Sequence, residues 1–355
     1  NEKVKWKEFK YGNLYKVDLL DKMYSGYDKI VYQIGNNSQF HTKSLEKFLK
    51  YPGIVEIHDY ILHPFIYYSY FLKKKYERYK FFLETGYGED GLKHYESVKN
   101  GWAVPDNERF PMCHAISKLA VGTIVHNKWS SAHMKGVKNV FVVPHPSFEQ
   151  ENVEISNKEE IKKSIRNKYS IGSDEIIIGC FGFVNSNKRP EKVVEAVEQL
   201  IREKFRVKLI FWGKASDNST YKLIKTKNLE DKIFITGYLE KSVYEAALEM
   251  TDIVVNLRYP SMGESSGTLC EAFKYAKPVI VSEVNQYVEY PDDICWKVPV
   301  REKEVLLLKE MLQYLIEHED VRKTLGENAA AYAELVLKPD RIAELYKDIF
   351  NREDL

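Results

Sequence analysis

A chain of 355 residues is too long for one ordinary hydrophobic core and suits two domains of moderate size. Its 44% hydrophobic and 30% charged residues are those of a globular protein, and 53 Lys plus Arg against 52 Asp plus Glu leave no net field to recruit nucleic acid. The longest apolar stretch, PFIYYSYFL, is far short of a membrane span, and the charged opening NEKVKWKEFK has no signal-peptide core. Cysteines 113, 180, 270 and 295 form neither a CxxC pair nor a metal-ligand spacing, so they read as small core residues in a reducing compartment. The expectation is a cytoplasmic enzyme or binding protein.

In chain order the strand candidates are KIVYQI (29–34), GIVEIH (53–58), GTIVH (122–126) and VFVVP (140–144). After a polar stretch come EIIIGCFGF (175–183), VKLIFW (207–212), KIFIT (232–236), DIVVNL (252–257) and PVIVS (278–282). Amphipathic segments separate them, such as RPEKVVEAVEQLIREK with Val193, Val194, Val197, Leu200 and Ile201 on one stripe. Continuous apolar strands alternating with helices indicate α/β architecture, with parallel sheets covered on both faces. The polar segment SFEQENVEISNKEE (147–160) is the expected linker, dividing the chain into two α/β halves.

Residues 64 to 115 break the alternation. Phe65, Tyr68, Leu72, Tyr76, Tyr79 and Leu83 follow a three-and-four spacing that predicts one helix, with Lys73, Lys74, Lys75, Arg78 and Lys80 on its other faces. Two readings stand: a helix packed on its domain with a solvated basic face, which is favoured, and a surface that touches anionic lipid.

Two strand-to-helix joints carry candidate chemistry. In GCFGFVNSNKRPEKVVEAV a strand ends at Gly182, and Lys188, Arg189 and Pro190 open a helix. Two cations at a positive helix terminus can hold an anion such as a diphosphate. Taken alone, the joint reads equally as a solvated loop. In GESSGTLCEAFKYAKPVIVS, Ser265, Ser266 and Thr268 can cap and donate, and Gly267 lets backbone amides approach a ligand. Glu271, one turn into that helix, can accept two hydrogen bonds from a vicinal diol such as ribose. The plain alternative is an ordinary capped helix with acidic residues near its positive end. Earlier in the chain, VEIHDYILH sets His58 and Asp59 at the carboxyl end of a strand. No HExxH, EF-hand or P-loop pattern occurs, so metal catalysis has no support from motifs, and no cofactor is expected.

The C-terminal half resembles the retaining, nucleotide-sugar-dependent glycosyltransferases of family 4, which have the GT-B fold. The resemblance rests on FGFVNSNKRPEKVVEAV, IFITGYL and VVNLRYPSMGESSGTLCEAFKYAKPVIVS, over about residues 175 to 300. More weakly, YDKIVYQIGNNSQFH and YPGIVEIHD look like one bacterial branch of that family. The resemblance implies that Lys188 binds the donor diphosphate and Glu271 holds the ribose. Glu264 to Thr268 would surround phosphate and sugar, and His58 would reach the sugar from the opposite domain. Gly182 and Tyr238, in the first two of these segments, fall on the donor side as well.

Three departures accompany it. Phe183 stands where the family usually has an arginine, with Arg189 or Arg258 as replacement. Six residues stand between Glu264 and Glu271 where the family has seven, so Gly263 takes the first glutamate's place if Glu271 is the anchor. The opening NEKVKWKEFKYGNLYKVDLL supplies neither the usual first strand nor its glycine-rich loop, as expected of a fragment, of a domain cut from a longer polypeptide, or of a divergent member.

The expected architecture is GT-B: two Rossmann-like domains facing each other across a cleft. Residues 1–148 would be the acceptor side, 149–338 the nucleotide-sugar domain, and 339–355 a helix returning to the first domain. The expected reaction moves a sugar from a nucleoside diphosphate sugar to an acceptor hydroxyl, with retention and without metal, in bacterial surface glycan synthesis. A glycan or lipid-linked glycan would be the acceptor, with peripheral docking at an anionic membrane. The alternatives are a catalytically silent GT-B module binding a protein or glycan partner, and a sugar-nucleotide epimerase.

Overall fold

The computed structural model describes residues 15–147 and 155–355, which form two compact units. The first comprises residues 15–126, 130–142 and 348–355, and the second 127–129, 143–147 and 155–347. Part of the opening segment and the core of the expected linker, with the 148/149 boundary, lie outside the described residues. The linker's far end is not loop: a helix, Ile155–Lys168, is already under way there. Its Lys158 and Lys162, four apart and so on one face, both pair with Glu249, at 3.0 and 2.6 Å.

The first unit holds a parallel sheet of β1 (Val31–Ile34), β2 (Ile54–Ile57), β3 (Gly122–Val125) and β4 (Val140–Val142), lying side by side in chain order. β2 and β3 are buried along their whole length, the pattern of parallel strands covered on both faces. Their register pairs Glu56 with Ile124 and Ile57 with Val125. His58 and His126 therefore leave neighbouring strands at the same level.

The aromatic segment differs from the single helix expected over 65–83. It folds as a short helix, His63–Ile66, a π-turn, Tyr67–Phe71, and then a turn in which Lys74 takes φ +60°. A second helix, Tyr76–Lys99, follows, itself interrupted at Gly88. The wider π-turn rotates the buried face, so Tyr70 enters the core while Tyr68 and Leu72 stand 57% and 53% exposed. Phe65, Tyr79 and Leu83 are buried as the spacing predicts. Within this core His63 meets the Tyr79 hydroxyl at 2.7 Å and the Asp106 carbonyl at 3.1 Å, and burial holds its pKa down at about 4.

The second unit holds β5 (Ile176–Phe181), β6 (Val207–Trp212), β7 (Ile233–Ile235), β8 (Ile253–Asn256), β9 (Val279–Ser282) and β10 (Trp296–Val298). β10, a three-residue edge strand, is absent from the sequence-based expectation. The order is β10-β9-β8-β5-β6-β7, all parallel, so the chain builds outward from β5 in one direction and then in the other. Successive strand residues feed two cores. Ile177, Ile210 and Val254 join Trp212 and Phe273 on one face, while Ile178, Phe211 and Val255 join Leu308 and Leu312 on the other. Val193, Val194, Val197 and Leu200 of the helix Pro190–Arg202 are all buried in the second core. Truncating Leu200 to alanine would cost about 2–5 kcal/mol.

The final helix, Pro339–Phe350, begins in the second unit, and the chain from Asp348 onward belongs to the first. There Lys29 donates to the Arg352 carbonyl at 2.6 Å, and the Arg352 guanidinium lies over the Phe141 ring. The four cysteines are free and buried. No described helix is long and apolar enough to cross a membrane.

Candidate active site

The reversal between β5 and β8 matters because ligands in such sheets usually bind in the crevice outside the strand ends at the switch. Beyond β5 the chain turns at Gly182, φ +86°, where a Cβ would lie 2.8 Å from the Lys188 ammonium. Glycine is required there for both conformation and room. Asn185 accepts from the Lys188 amide at 3.2 Å and caps the short turn Ser186–Lys188; Pro190 then opens its helix as expected. The Lys188 ammonium folds back and donates to the Phe181 carbonyl. Burial, reinforced by the Arg258 cation, lowers its pKa to about 8, against weaker opposing pulls from Cys180 and Glu264.

Beyond β8 the loop is braced from within. Glu264 pairs with the Arg258 Nε at 2.9 Å and accepts from the Met262 amide at 2.7 Å and the Ser261 hydroxyl at 3.3 Å. The Gln286 side-chain amide donates to the Glu264 carbonyl, and Ser261 donates to the Gln286 oxygen at 3.1 Å. Gly263, at φ +75°, donates its amide to Ser261, and its carbonyl accepts from the Asn127 side chain at 3.1 Å. Glu264 thus ties its own loop together.

Ser266 is the cap of the helix Gly267–Lys274. Its hydroxyl accepts from the Leu269 amide at 3.3 Å, lies 3.4 Å from the Asn256 amide that donates to it, and shares a 3.0 Å hydrogen bond with Thr268. The two loops meet: the Tyr259 amide donates to the Asn187 carbonyl at 2.7 Å, and the Thr268 methyl lies 3.4 Å from where a Gly182 Cβ would sit. Gly182, Lys188, Arg258, Glu264 and the first turn of this helix therefore form one constellation within the second unit. It concentrates positive charge from Lys188, Arg258 and the helix terminus at the end of the sheet. Glu271 lies half-buried in the next turn, near enough that its charge adds to the burial that raises the Tyr244 hydroxyl pKa.

Other expected residues go elsewhere. Arg189 adopts a left-handed backbone, φ +52°, and makes a bidentate pair with Glu304, which is only 2% exposed. Of the two cations offered as replacements for an arginine at Phe183, Arg258 is therefore the one whose charge acts on Lys188. Phe183 itself is 65% exposed. Ser265 stands half-buried just before the cap. Tyr238, 80% exposed, sits after β7, two strands over from β5. His58 belongs to the first unit, with its Nδ1 3.0 Å from Nε2 of His126.

The sequence reading overlooked Asn185, Asn256, Ser261, Gln286 and Glu304. Only Asn185 carried a local signal, its side chain three residues before Lys188 in the spacing of a cap.

Residues 161–332 match the family model described as Glycosyl transferases group 1. An alpha-D-kanosaminyltransferase of Streptomyces kanamyceticus is 22% identical over 200 residues, 55% of this chain and 51% of that protein. A protein of Methanocaldococcus jannaschii described as an uncharacterized glycosyltransferase is 25% identical over 241 residues, 67% of this chain and 57% of its own length. The chain thus spans little more than half the length of these curated relatives. Among solved structures, a sucrose-phosphate synthase of Thermosynechococcus elongatus superposes with a TM-score of 0.64 at 15% identity, over 94% of this chain and 77% of the other. Anabaena HepE in complex with UDP-glucose gives 0.64 at 15% identity over 94% of this chain and 80% of the other. The chain has the GT-B fold, and residues 161–332 carry a glycosyl transferases group 1 domain.

Proposed function

We propose that this protein transfers a sugar from a nucleoside diphosphate sugar to an acceptor hydroxyl. The observation that carries the reading is the convergence of Lys188, Arg258 and the amide end of the helix Gly267–Lys274 at the β5/β8 switch. The group 1 domain supports it, as does the solution of HepE with UDP-glucose. The barrier in such a reaction is departure of the diphosphate from a sugar with oxocarbenium character. Lys188, Arg258 and the Gly267 and Thr268 amides stabilise charge where it develops, so this reading calls for no divalent ion on the leaving group. Glu271 holds the ribose. Gly182 makes room for Lys188, and Ser265, Ser266 and Thr268 frame the phosphates. Arg189 and Glu264 act by fixing the two loops, and Tyr238 has no assigned contact in the site. His58 is the residue that the family resemblance sends to the donor sugar, with retention of configuration.

The acceptor in this reading is a glycan or lipid-linked glycan of the bacterial surface, met by peripheral docking at an anionic membrane. Phe183, standing where the family usually has an arginine, favours a second reading: a catalytically silent GT-B module that binds a protein or glycan partner.

Thermal unfolding with UDP, GDP and their sugars tests the first reading. A nucleotide at a hundred times its Kd should add about 2.7 kcal/mol of stability, Glu271→Ala should abolish the shift, and EDTA should leave it intact. Stabilisation without hydrolysis or transfer of any nucleotide sugar points to the silent module. Absence of stabilisation by every nucleoside diphosphate defeats the transferase reading.

A further inference from the structure

The first sheet ends in a group of side chains that neither the resemblance nor the proposed reaction explains together. Glu56 lies in β2, His58 directly after β2, and His126 directly after β3. Their donor atoms all fall within 4.8 Å of one another. His58 Nδ1 is 3.0 Å from His126 Nε2, and that nitrogen is 3.4 Å from a Glu56 carboxylate oxygen. We infer that Glu56, His58 and His126 bind one divalent transition ion of zinc's class at the carboxyl ends of β2 and β3.

Three physical arguments lead there. The first is spacing. A tetrahedral ion with bonds of about 2.0–2.1 Å holds its ligand atoms about 3.3 Å apart, and the two distances above bracket that value. The second is burial. The side chains of Glu56 and His126 are 6% and 3% exposed, and a buried carboxylate is held by hydrogen bonds, by a paired charge or by a metal ion. Two imidazole nitrogens that face each other at 3.0 Å share either a proton or an ion, because two lone pairs repel. The third is support. The Gln33 side-chain amide donates to the other Glu56 oxygen at 2.7 Å, the kind of outer contact that aims a ligating carboxylate. All three ligands lie on or directly beyond adjacent strands in fixed register, which sets their separation before any ion arrives.

The donor set also selects the ion. Two imidazoles and one carboxylate without thiolate suit zinc, cobalt, nickel or ferrous iron, whereas magnesium and calcium prefer all-oxygen sites. His58 is half-buried, so a fourth position filled by water or a ligand oxygen lies on its side. The sequence hid the site, since 68 residues separate His58 from His126 and no HExxH-like spacing announces them. The transferase reading shares only His58 with this group, its diphosphate-binding residues all belong to the second unit, and the cobalt readout below does not depend on turnover.

The test is cobalt titration of the untagged full chain after EDTA treatment and dialysis. One equivalent of Co2+ should produce a saturable visible absorption of low-coordinate nitrogen–oxygen type. Zn2+ should erase it at equimolar concentration, and a hundredfold excess of Mg2+ should not. His58→Ala removes the most accessible ligand and should weaken Co2+ affinity by about a hundredfold, while His41→Ala should leave the spectrum unchanged. Wild-type protein that melts cooperatively yet gives no saturable absorption at one equivalent overturns the site, and leaves the imidazole pair sharing a proton. So does a His58→Ala variant that binds Co2+ as the parent does.

Discussion

The two sheets are both parallel, and they differ in one topological respect that decides what can happen at their ends. In the first, β1 to β4 are laid down in chain order, and among the described residues nothing reverses. Neighbouring strand ends run on together, and the polar groups there, Gln33, Glu56, His58 and His126, close on one another. In the second, the order reverses between β5 and β8, and the two loops leave in opposite senses. These loops nonetheless meet, and Lys188, Arg258 and the first turn of the helix Gly267–Lys274 gather at the switch. A reversal makes an anion crevice; its absence makes a compact cluster suited to a proton or a single ion.

If the crevice is where the chemistry lies, Lys188 should show the largest effect. Lys188→Ala removes the one ammonium held against Gly182 and should cut turnover of a nucleotide sugar by a hundredfold or more, the scale for losing one preorganised electrostatic group. Turnover within a few-fold of the parent would shift the role to Arg258, and the comparison between the sheets would lose its main support.

Next in size is the pair that holds the crevice's rim. Arg189→Ala leaves Glu304 buried and unpaired, which should cost about 3 kcal/mol of stability in urea unfolding. Nucleotide affinity, measured well below the unfolding transition, should stay within a few-fold. The opposite result, stability kept and affinity lost, would return Arg189 to the diphosphate.

The third test uses pH. Burial and the Arg258 cation hold the Lys188 pKa at about 8 against 10.5 ordinarily. Between these values the unfolded chain holds the extra proton, so the stability cost of burying the charged lysine is complete below pH 8 and fades as pH rises toward 10.5. Binding runs the other way. The protonated lysine is the form that meets a diphosphate, so affinity should fall about tenfold per pH unit above 8. Calorimetry from pH 7 to 9.5 on the parent and on Lys188→Arg, which keeps its charge, measures it. Equal profiles for the two would remove Lys188 from the diphosphate.

Much of this was legible from the sequence, and the reason for each success is local. The fully apolar strands, the stripe Val193–Leu200, Pro190 at a helix start and Ser266 at a cap all depend on neighbours within a turn or two. What escaped depends on distant partners or on small shifts of register. Arg189 meets Glu304 across 115 residues, so no local pattern distinguished it from a cation left open to a ligand. Glu264 read as a ligand group because its spacing from Glu271 is visible, while Arg258, Ser261 and the Met262 amide, which occupy it, are fixed only by the folded loop. In the aromatic segment one π-turn moved the buried face from Tyr68 to Tyr70, a change that a periodicity of three and four cannot register.

That same segment yields the smallest expected effect and the one that separates the units by surface rather than by site. With the helix broken, Tyr68 and Leu72 project outward next to the exposed Lys73 and Lys74. Apolar rings beside cations suit the headgroup zone of an anionic membrane, where each cation contributes about 1 kcal/mol. Lys75 should contribute less, since it already pairs with Glu46 at 3.7 Å. Sedimentation with phosphatidylserine vesicles should capture the parent and release it in high salt. Replacing Lys73 and Lys74 by glutamate should weaken capture by about an order of magnitude or more. The control is in the other unit: Lys222 and Lys225, exposed on the helix Ser219–Thr226, should be replaceable by glutamate without effect. Equal losses from both pairs would mean that bulk charge alone drives adsorption. Loss confined to the first pair, together with weaker capture of Leu72→Ser, assigns membrane contact to the first unit and leaves the crevice of the second to its nucleotide.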